Sequence, residues 1–275
     1  MLDRIADILG AIGENPDGVA LSQAAKRTGL HKSSAHRLLS AMRTHGFVDK
    51  SDADGKYRLG LKLFELGSMV ARQMDIRERA RPYLERLVAT SGETAHLCIL
   101  AGTDTLYVEK VEPERTVRIP SAIGSRIPAY CSAAGKAMLA SLPLGELEVV
   151  AARISLQRFT ANTITGLEAL RQELDATRKR GFSIDDEEFE PGLKGVAAPL
   201  RRTGGDVIAA ISIVGPAFRL GADQIRKIAD QVIGAASELA SEFGFRPEMA
   251  ARAREAKLIK GEKWPEKRPI NSGGF

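Results

Sequence analysis

Leu21-Ser22-Gln23-Ala24-Ala25-Lys26-Arg27-Thr28-Gly29-Leu30-His31-Lys32-Ser33-Ser34-Ala35-His36-Arg37-Leu38-Leu39-Ser40-Ala41-Met42-Arg43-Thr44 is the stretch that decides how this 275-residue chain begins. Leu21, Ala24 and Ala25 recur at helical spacing, with Ser22 as the expected N-cap and Thr28-Gly29 as the stop. Gly29 lets the backbone turn and Leu30 plugs the corner. A second helix is then predicted from Lys32 to Thr44, with Ala35, Leu38, Leu39 and Met42 as its buried side. Two helices joined by such a turn cross steeply, so the second stands proud and fits a groove of duplex DNA.

The flanks complete the unit. Leu2, Ile5, Ile8, Leu9 and Ile12 form the apolar stripe of a preceding helix, which Asn15-Pro16-Asp17-Gly18 ends. Gly46 stops the second helix of the pair. Phe47-Val48 and Tyr57-Arg58-Leu59 then flank Asp52-Ala53-Asp54-Gly55, a hairpin signal. Residues 1–60 therefore read as a winged helix-turn-helix.

Charge supports a polyanion as partner. The chain carries a net +5, and between Ala20 and Lys50 the cations Lys26, Arg27, Lys32, Arg37, Arg43 and Lys50 face only Asp49, so this segment accounts for all of it. A plain solvated face is the other reading of that cluster.

Residues 61–76 read as a linker helix, with Leu63, Leu66, Met69, Val70 and Met74 on one side. Residues 77–246 read as an α+β domain, an antiparallel sheet flanked by helices. A helix from Arg77 to Ser91 leads into strand-like segments at Thr94–Leu100, Thr105–Glu112 and Thr116–Ile119. Helical patterns follow at Ala133–Leu142, Leu144–Ile154 and Leu167–Arg180, then strands at Phe182–Ile184, Gly195–Arg201 and Val207–Val214, and a closing helix at Ala222–Phe243. Residues 247–275 mix charges with Trp264, prolines and Gly-Gly, the composition of a disordered tail.

At 44% hydrophobic and 27% charged residues the chain is neither collagenous nor wholly disordered. No run approaches the roughly 18 apolar residues of a membrane helix, so a cytoplasmic protein with no membrane partner is expected. Cys98 and Cys131 are too few for a disulfide framework or a four-cysteine zinc site, and neither a metal nor a cofactor is expected.

Two further motifs carry a family resemblance. Gly181-Phe182-Ser183-Ile184-Asp185-Asp186-Glu187-Glu188-Phe189-Glu190-Pro191-Gly192, followed by Val196-Ala197-Ala198-Pro199, together with Ile127-Pro128-Ala129-Tyr130-Cys131-Ser132-Ala133-Ala134-Gly135-Lys136-Ala137, resembles the IclR family of bacterial transcriptional regulators over about residues 1–246. The resemblance implies a dimer or tetramer that binds a palindromic operator. It also implies a GAF-like C-terminal domain that holds a small carboxylic or aromatic acid. Ala133, Ala134, Asp185 and Ser212 match the family's effector positions, and Gly195 stands where family members usually have cysteine, which implies a locally larger pocket. The function so implied is a regulator, more often a repressor, and not an enzyme.

The residues themselves suggest roles and alternatives. Lys32, Ser33, Ser34, His36 and Arg37 open the reader helix and should meet base edges or phosphates, with Arg37 able to grip guanine; Lys50, Lys56 and Arg58 in the wing are phosphate candidates. Amides at Ala133, Ala134 and Gly135 form an anion site at a helix start, with Lys136 either adding charge or lying on the surface. Ile119 and Ile127 either line the pocket or fill the core. Cys131 is a pocket-lining thiol, or a nucleophile if His96 meets it as base. The run Asp185-Asp186-Glu187-Glu188 suggests a metal or acid–base pair, but strand alternation lets only Asp185 with Glu187, or Asp186 with Glu188, converge. The rival function is a hydrolase built on Cys131 or those carboxylates. A third reading is an interaction module whose helix contacts protein.

Overall fold

The computed structural model describes residues 1–73, 75–115, 119–202 and 204–243. Its contacts divide the chain into two compact units, the first from Met1 to Asp75 and the second from Ile76 onward.

The first unit is built from α1 (Leu2–Gly13), α2 (Leu21–Thr28), α3 (Lys32–Thr44), the hairpin strands β1 (Val48–Lys50) and β2 (Tyr57–Leu59), and α4 (Leu61–Gln73). Ile8, Ile12, Val19, Ala24, Leu39, Met42, Val48 and Tyr57 form its core, so each of the first five elements contributes to one apolar cluster. Gly29 ends α2 at φ +65°, a left-handed conformation that glycine adopts without penalty, and the Leu30 N–H donates to the Ala25 carbonyl at 3.1 Å. That closed turn redirects the chain into α3. The N-cap of α2 is Ala20, not Ser22: the Gln23 side chain reaches back to accept from the Ala20 N–H at 2.8 Å, half of a capping box.

The second unit contains α5 (Asp75–Ser91), β3 (Thr94–Ala101), β4 (Asp104–Val111), β5 (Arg126–Pro128), a short 3-10 turn at Ala129–Cys131, α6 (Ala133–Leu139), α7 (Leu144–Ala151), α8 (Leu167–Arg180), β6 (Ser183–Asp186), β7 (Leu193–Arg201), β8 (Val207–Pro216) and α9 (Ala222–Glu242). Its strands form a six-stranded antiparallel sheet in the order β5-β4-β3-β8-β7-β6. The fold is α+β, as the sequence predicts.

Alternation assigns the two faces of the sheet. Cys98, Ala197 and Ala210 pack with Tyr107 and with Ala133, Ala134, Ala137 and Met138 of α6, so this face lies under α6. Residues of the opposite parity, such as Ile211 and Ile213, face the other side, where α9 packs on β7 and β8. α5 joins that layer through Tyr83 and Arg86, which bond Glu242 and Glu238 of α9.

Two expectations change and a third falls largely outside the described residues. Strand β5 is absent from the sequence reading and forms only because Arg126–Pro128 pairs with Leu106–Asp104. α6 and α7 end three residues short, at Leu139 and Ala151. Of the strand expected at Thr116–Ile119, residues 116–118 lie outside the described residues and Ile119 is not in a strand. The expected tail, 247–275, also lies outside them. Among the described residues no helix is long and apolar enough to cross a membrane.

Candidate functional site

α3 presents a polar, cationic side to solvent. Ala35, Leu39 and Met42 bury one side of α3, and this leaves Lys32, Ser33, Ser34, His36 and Arg37 exposed along the other. Among the described residues none of these five side chains is engaged in an ion pair or hydrogen bond. His31 caps α3 without a side-chain bond, so the first N–H groups of the helix also point outward beside Lys32. In the wing, Lys50 is exposed and its ammonium lies 5.7 Å from the Tyr57 ring centre. Arg58 differs. It pairs with Asp54 at 2.8 Å and donates to the Asp17 carbonyl at 3.2 Å, and the same contact holds the Asp54 carboxyl far below the usual carboxylate range. The guanidinium braces the hairpin, which places it apart from the unpaired cations.

In the second unit the sheet and α6 enclose a cavity of about 260 Å³. Of the residues expected to bind effector, Ile119, Ile127, Ala133, Ala134, Asp185 and Ser212 line it. Cys131 and Gly195 do not. Cys131 turns into a separate cluster with Tyr130, Leu139, Leu170 and Leu174. Gly195 lies beneath the floor, where an added Cβ would meet the Ala133 Cβ at 3.2 Å and Val214 at 3.4 Å, so the space left by the missing side chain is already taken by α6. The sequence reading missed Tyr107, Ser121, Arg126, Ser132 and Phe189, which also line the cavity. Tyr107, Ser121 and Arg126 arrive from β4, β5 and the loop between them, Ser132 from the N-cap of α6 and Phe189 from the turn after β6. That register depends on a bulge at Leu97/Cys98 that no local signal marks.

α6 is anchored tightly. The Ser132 hydroxyl accepts from the Gly135 N–H at 3.1 Å and bonds Thr105 at 2.9 Å, so one of the three amides proposed as an anion site is already satisfied. Lys136 is neither a surface lysine nor a pocket cation. It is 1% exposed, bonded to Glu188 and 3.4 Å from Glu173.

The acidic run breaks the alternation expected of it. Asp185 shares the inner face of β6 with Ser183, whose hydroxyl donates to the Ala133 carbonyl. Glu187 then adopts φ +60°, and the chain reverses so that the Glu188 N–H donates to Asp185 Oδ1 at 2.8 Å. Asp185 and Glu188, three apart, therefore converge, and Asp186 points away to Lys194 at 2.7 Å. Burial, reinforced by the Glu188 and Asp186 charges, pushes the Asp185 carboxyl up to about 7 against the opposing Glu188 N–H and Lys136.

The hydrolase chemistry finds no footing. Burial pushes the Cys131 thiol up to about 12, with Asp185 and Glu188 adding to it, so the thiolate is disfavoured. His96 is fully buried, its Nε2 bonds the Ser121 hydroxyl at 2.7 Å, and its ring lies 4.7 Å from that of Tyr107. Both cysteines are free thiols.

A winged helix-turn-helix with a cationic reader, joined to an α+β unit around a small cavity, defines a ligand-responsive transcriptional regulator. Comparison with known proteins gives the family. Residues 1–52 match the IclR helix-turn-helix domain and residues 68–241 the bacterial transcriptional regulator IclR C-terminal domain. The HTH-type transcriptional regulator XynR of Escherichia coli is 34% identical over 89% of this chain and 97% of its own length. The transcriptional repressor IclR of the same species is 34% identical over 88% and 89%. Among solved structures, the Thermotoga maritima IclR superposes with a TM-score of 0.71 at 33% identity, covering 89% of this chain and 98% of that one. An IclR homologue from Microbacterium hydrocarbonoxydans, complexed with 4-hydroxybenzoate, does so at 0.74 and 29%, covering 88% and 98%. The chain belongs to the IclR family of bacterial transcriptional regulators and is not an enzyme.

Proposed function

We propose that the protein is a repressor that binds a palindromic operator as a homo-oligomer in the cytoplasm and changes its operator affinity when a small organic acid enters the cavity. The observation that carries the DNA half is the unpaired row Lys32, Ser33, Ser34, His36 and Arg37 on α3, with Lys50 as the phosphate contact of the wing. Arg58 leaves that set and supports the hairpin. Exposed Leu61, Phe64, Met69 and Val70 on α4 favour a second copy covering that helix, dimer before tetramer. The named repressor among its relatives supports the sign of regulation, and the 4-hydroxybenzoate complex of a structural neighbour supports an acid as effector. Ile119, Ile127, Ala133, Ala134, Asp185 and Ser212 would contact it.

The mechanism is linkage: a ligand that binds one arrangement of the oligomer better shifts the spacing of the two readers. Selection of bound fragments from random duplex DNA at two salt concentrations tests the operator-binding half of the reading. A palindromic motif whose enrichment weakens as salt rises is expected. Arg37→Ala should lose about 1–3 kcal/mol of base discrimination, roughly 5- to 150-fold, while retaining its fold. Unchanged discrimination by that variant would remove Arg37 from the reader.

A further inference from the structure

We propose that an anionic acid occupies this cavity only together with a proton, which Asp185 takes up from solvent and presents to the ligand's carboxylate. The inference rests on the reading of the cavity as the effector site and specifies its chemistry. Among the described residues the cavity wall carries two carboxylates, Asp185 and Glu190, and a single cation, Arg126. Arg126 sits in the short edge strand β5, its side chain 55% exposed and 3.7 Å from Asp104. The amino group that would neutralise the inner end, that of Lys136, is held by Glu188 and Glu173. An incoming carboxylate therefore meets negative charge at the inner wall with no unpaired cation of the described residues beside it.

Groups reach Asp185 from several sides. Glu188 approaches from the turn after β6, Asp186 from its own strand, Lys136 from α6, Cys131 from the turn before α6 and Tyr107 from β4; its β7 partner, Gly195, brings no charge. Only Lys136 is cationic, and it serves three carboxylates at once. One Asp185 oxygen is occupied by the Glu188 N–H. A proton on the other oxygen turns that end of the cavity from acceptor to donor. Buried in this way, the carboxyl already takes a proton close to neutrality, at little cost in free energy. A neutral carboxylic acid donating to a carboxylate makes a short, charge-assisted bond, which a buried ionised pair of like charge cannot. The step moves one proton from solvent to an Asp185 oxygen and forms no covalent bond to the ligand.

Isothermal titration of the full-length protein with benzoate and 4-hydroxybenzoate, beside benzamide and 4-hydroxybenzamide, decides the matter. Titrations run between pH 6 and 9 in buffers of differing ionisation enthalpy. Acid binding should take up close to one proton at the alkaline end and weaken about tenfold per pH unit there, and amide binding should do neither. Asp185→Asn, whose amide N–H donates without titrating, should bind the acids with no proton uptake and a flat pH profile. Acids that bind the native protein without proton uptake, or that Asp185→Asn no longer binds, overturn the proposal and leave the cavity as effector site. Amides that bind where acids do not have the same consequence. If no probe of either kind binds, the effector-site reading falls, and the proposal with it. The uptake measurement on the native protein stands alone should the variant fail to fold.

Discussion

Replacing Lys136 by methionine tests the buried ion network under the cavity floor. The side chain is 1% exposed, its ammonium donates to Glu188 Oε1, and Glu188 Oε2 has no hydrogen-bond partner among the described residues. Glu173 loses less, because Arg180 still holds it at 2.7 Å. Removing one partner of a buried pair costs about 3–5 kcal/mol, mostly for the charge left behind, against about 0–1 for an exposed pair. Burial already raises the Glu188 carboxyl, opposed first by Lys136, so the variant raises it further. Its folded form then binds a proton that its unfolded form releases. The sign follows: the variant's deficit is largest at pH 8 and shrinks toward pH 5 as Glu188 becomes neutral. Urea unfolding followed by circular dichroism at both values measures it. The double variant Lys136→Met/Glu188→Leu should recover most of the loss. A deficit below about 1 kcal/mol, or one equal at both pH values, would refute a buried, charge-bearing pair and return Lys136 to the surface.

Gly135→Ala should destabilise the second unit by more than the ordinary 1–3 kcal/mol of overpacking, because the new Cβ would lie 2.2 Å from the Ala129 carbonyl oxygen; a midpoint within error of the native protein in urea would contradict that contact. His96→Gln should flatten the acid limb of stability. Burial, aided by Lys110, lowers the native imidazole to about 3, so between pH 6.5 and 3 the unfolded chain takes up a proton that the folded one does not, and stability falls by about 2 kcal/mol near pH 5 relative to the variant. Thermal melts of both proteins at pH 5 and 7 provide the comparison. Gly195→Cys should lower the urea midpoint of the second unit by about 1–3 kcal/mol, since its side chain must displace Ala133 and Val214; an unchanged midpoint would show that α6 yields there freely.

What could be read from sequence was local. The α2–α3 turn was legible because a glycine at a helix end, apolar spacing of 3 and 4, and a cationic exposed side each report on a few neighbouring residues. α3 accordingly has the predicted bounds, Lys32–Thr44. The misplaced cap at Ser22 shows the limit of that signal: Ala20 has no capping side chain, and Gln23, three residues on, bonds back to it. At the cavity, Asp185 was found through a motif. Its companion Glu188 is hidden from strand alternation because the pattern breaks at a left-handed Glu187, a conformation that a glutamate rarely adopts and that its sequence does not advertise. Lys136 failed for a different reason. Its partner lies 52 residues away, and only the packing of α6 on β6 brings them together.

Those same contacts give the cavity its acid–base character. Lys136 compensates Glu188, and Glu188 in turn fixes the Asp185 carboxyl through its N–H while its charge raises the proton affinity there. His96 works in the opposite direction: burial, aided by the Lys110 charge, holds it neutral beside Tyr107. Asp185, raised to about 7 when folded, favours the folded state as pH falls from 7 toward 4, and His96 disfavours it over much of that range. The two slopes oppose, so the native protein should show a muted pH dependence that each single variant exposes with opposite sign. Stability is thereby held roughly level across the interval in which the protonation state of Asp185 changes, and that interval is where an acid ligand and a proton would enter the cavity together.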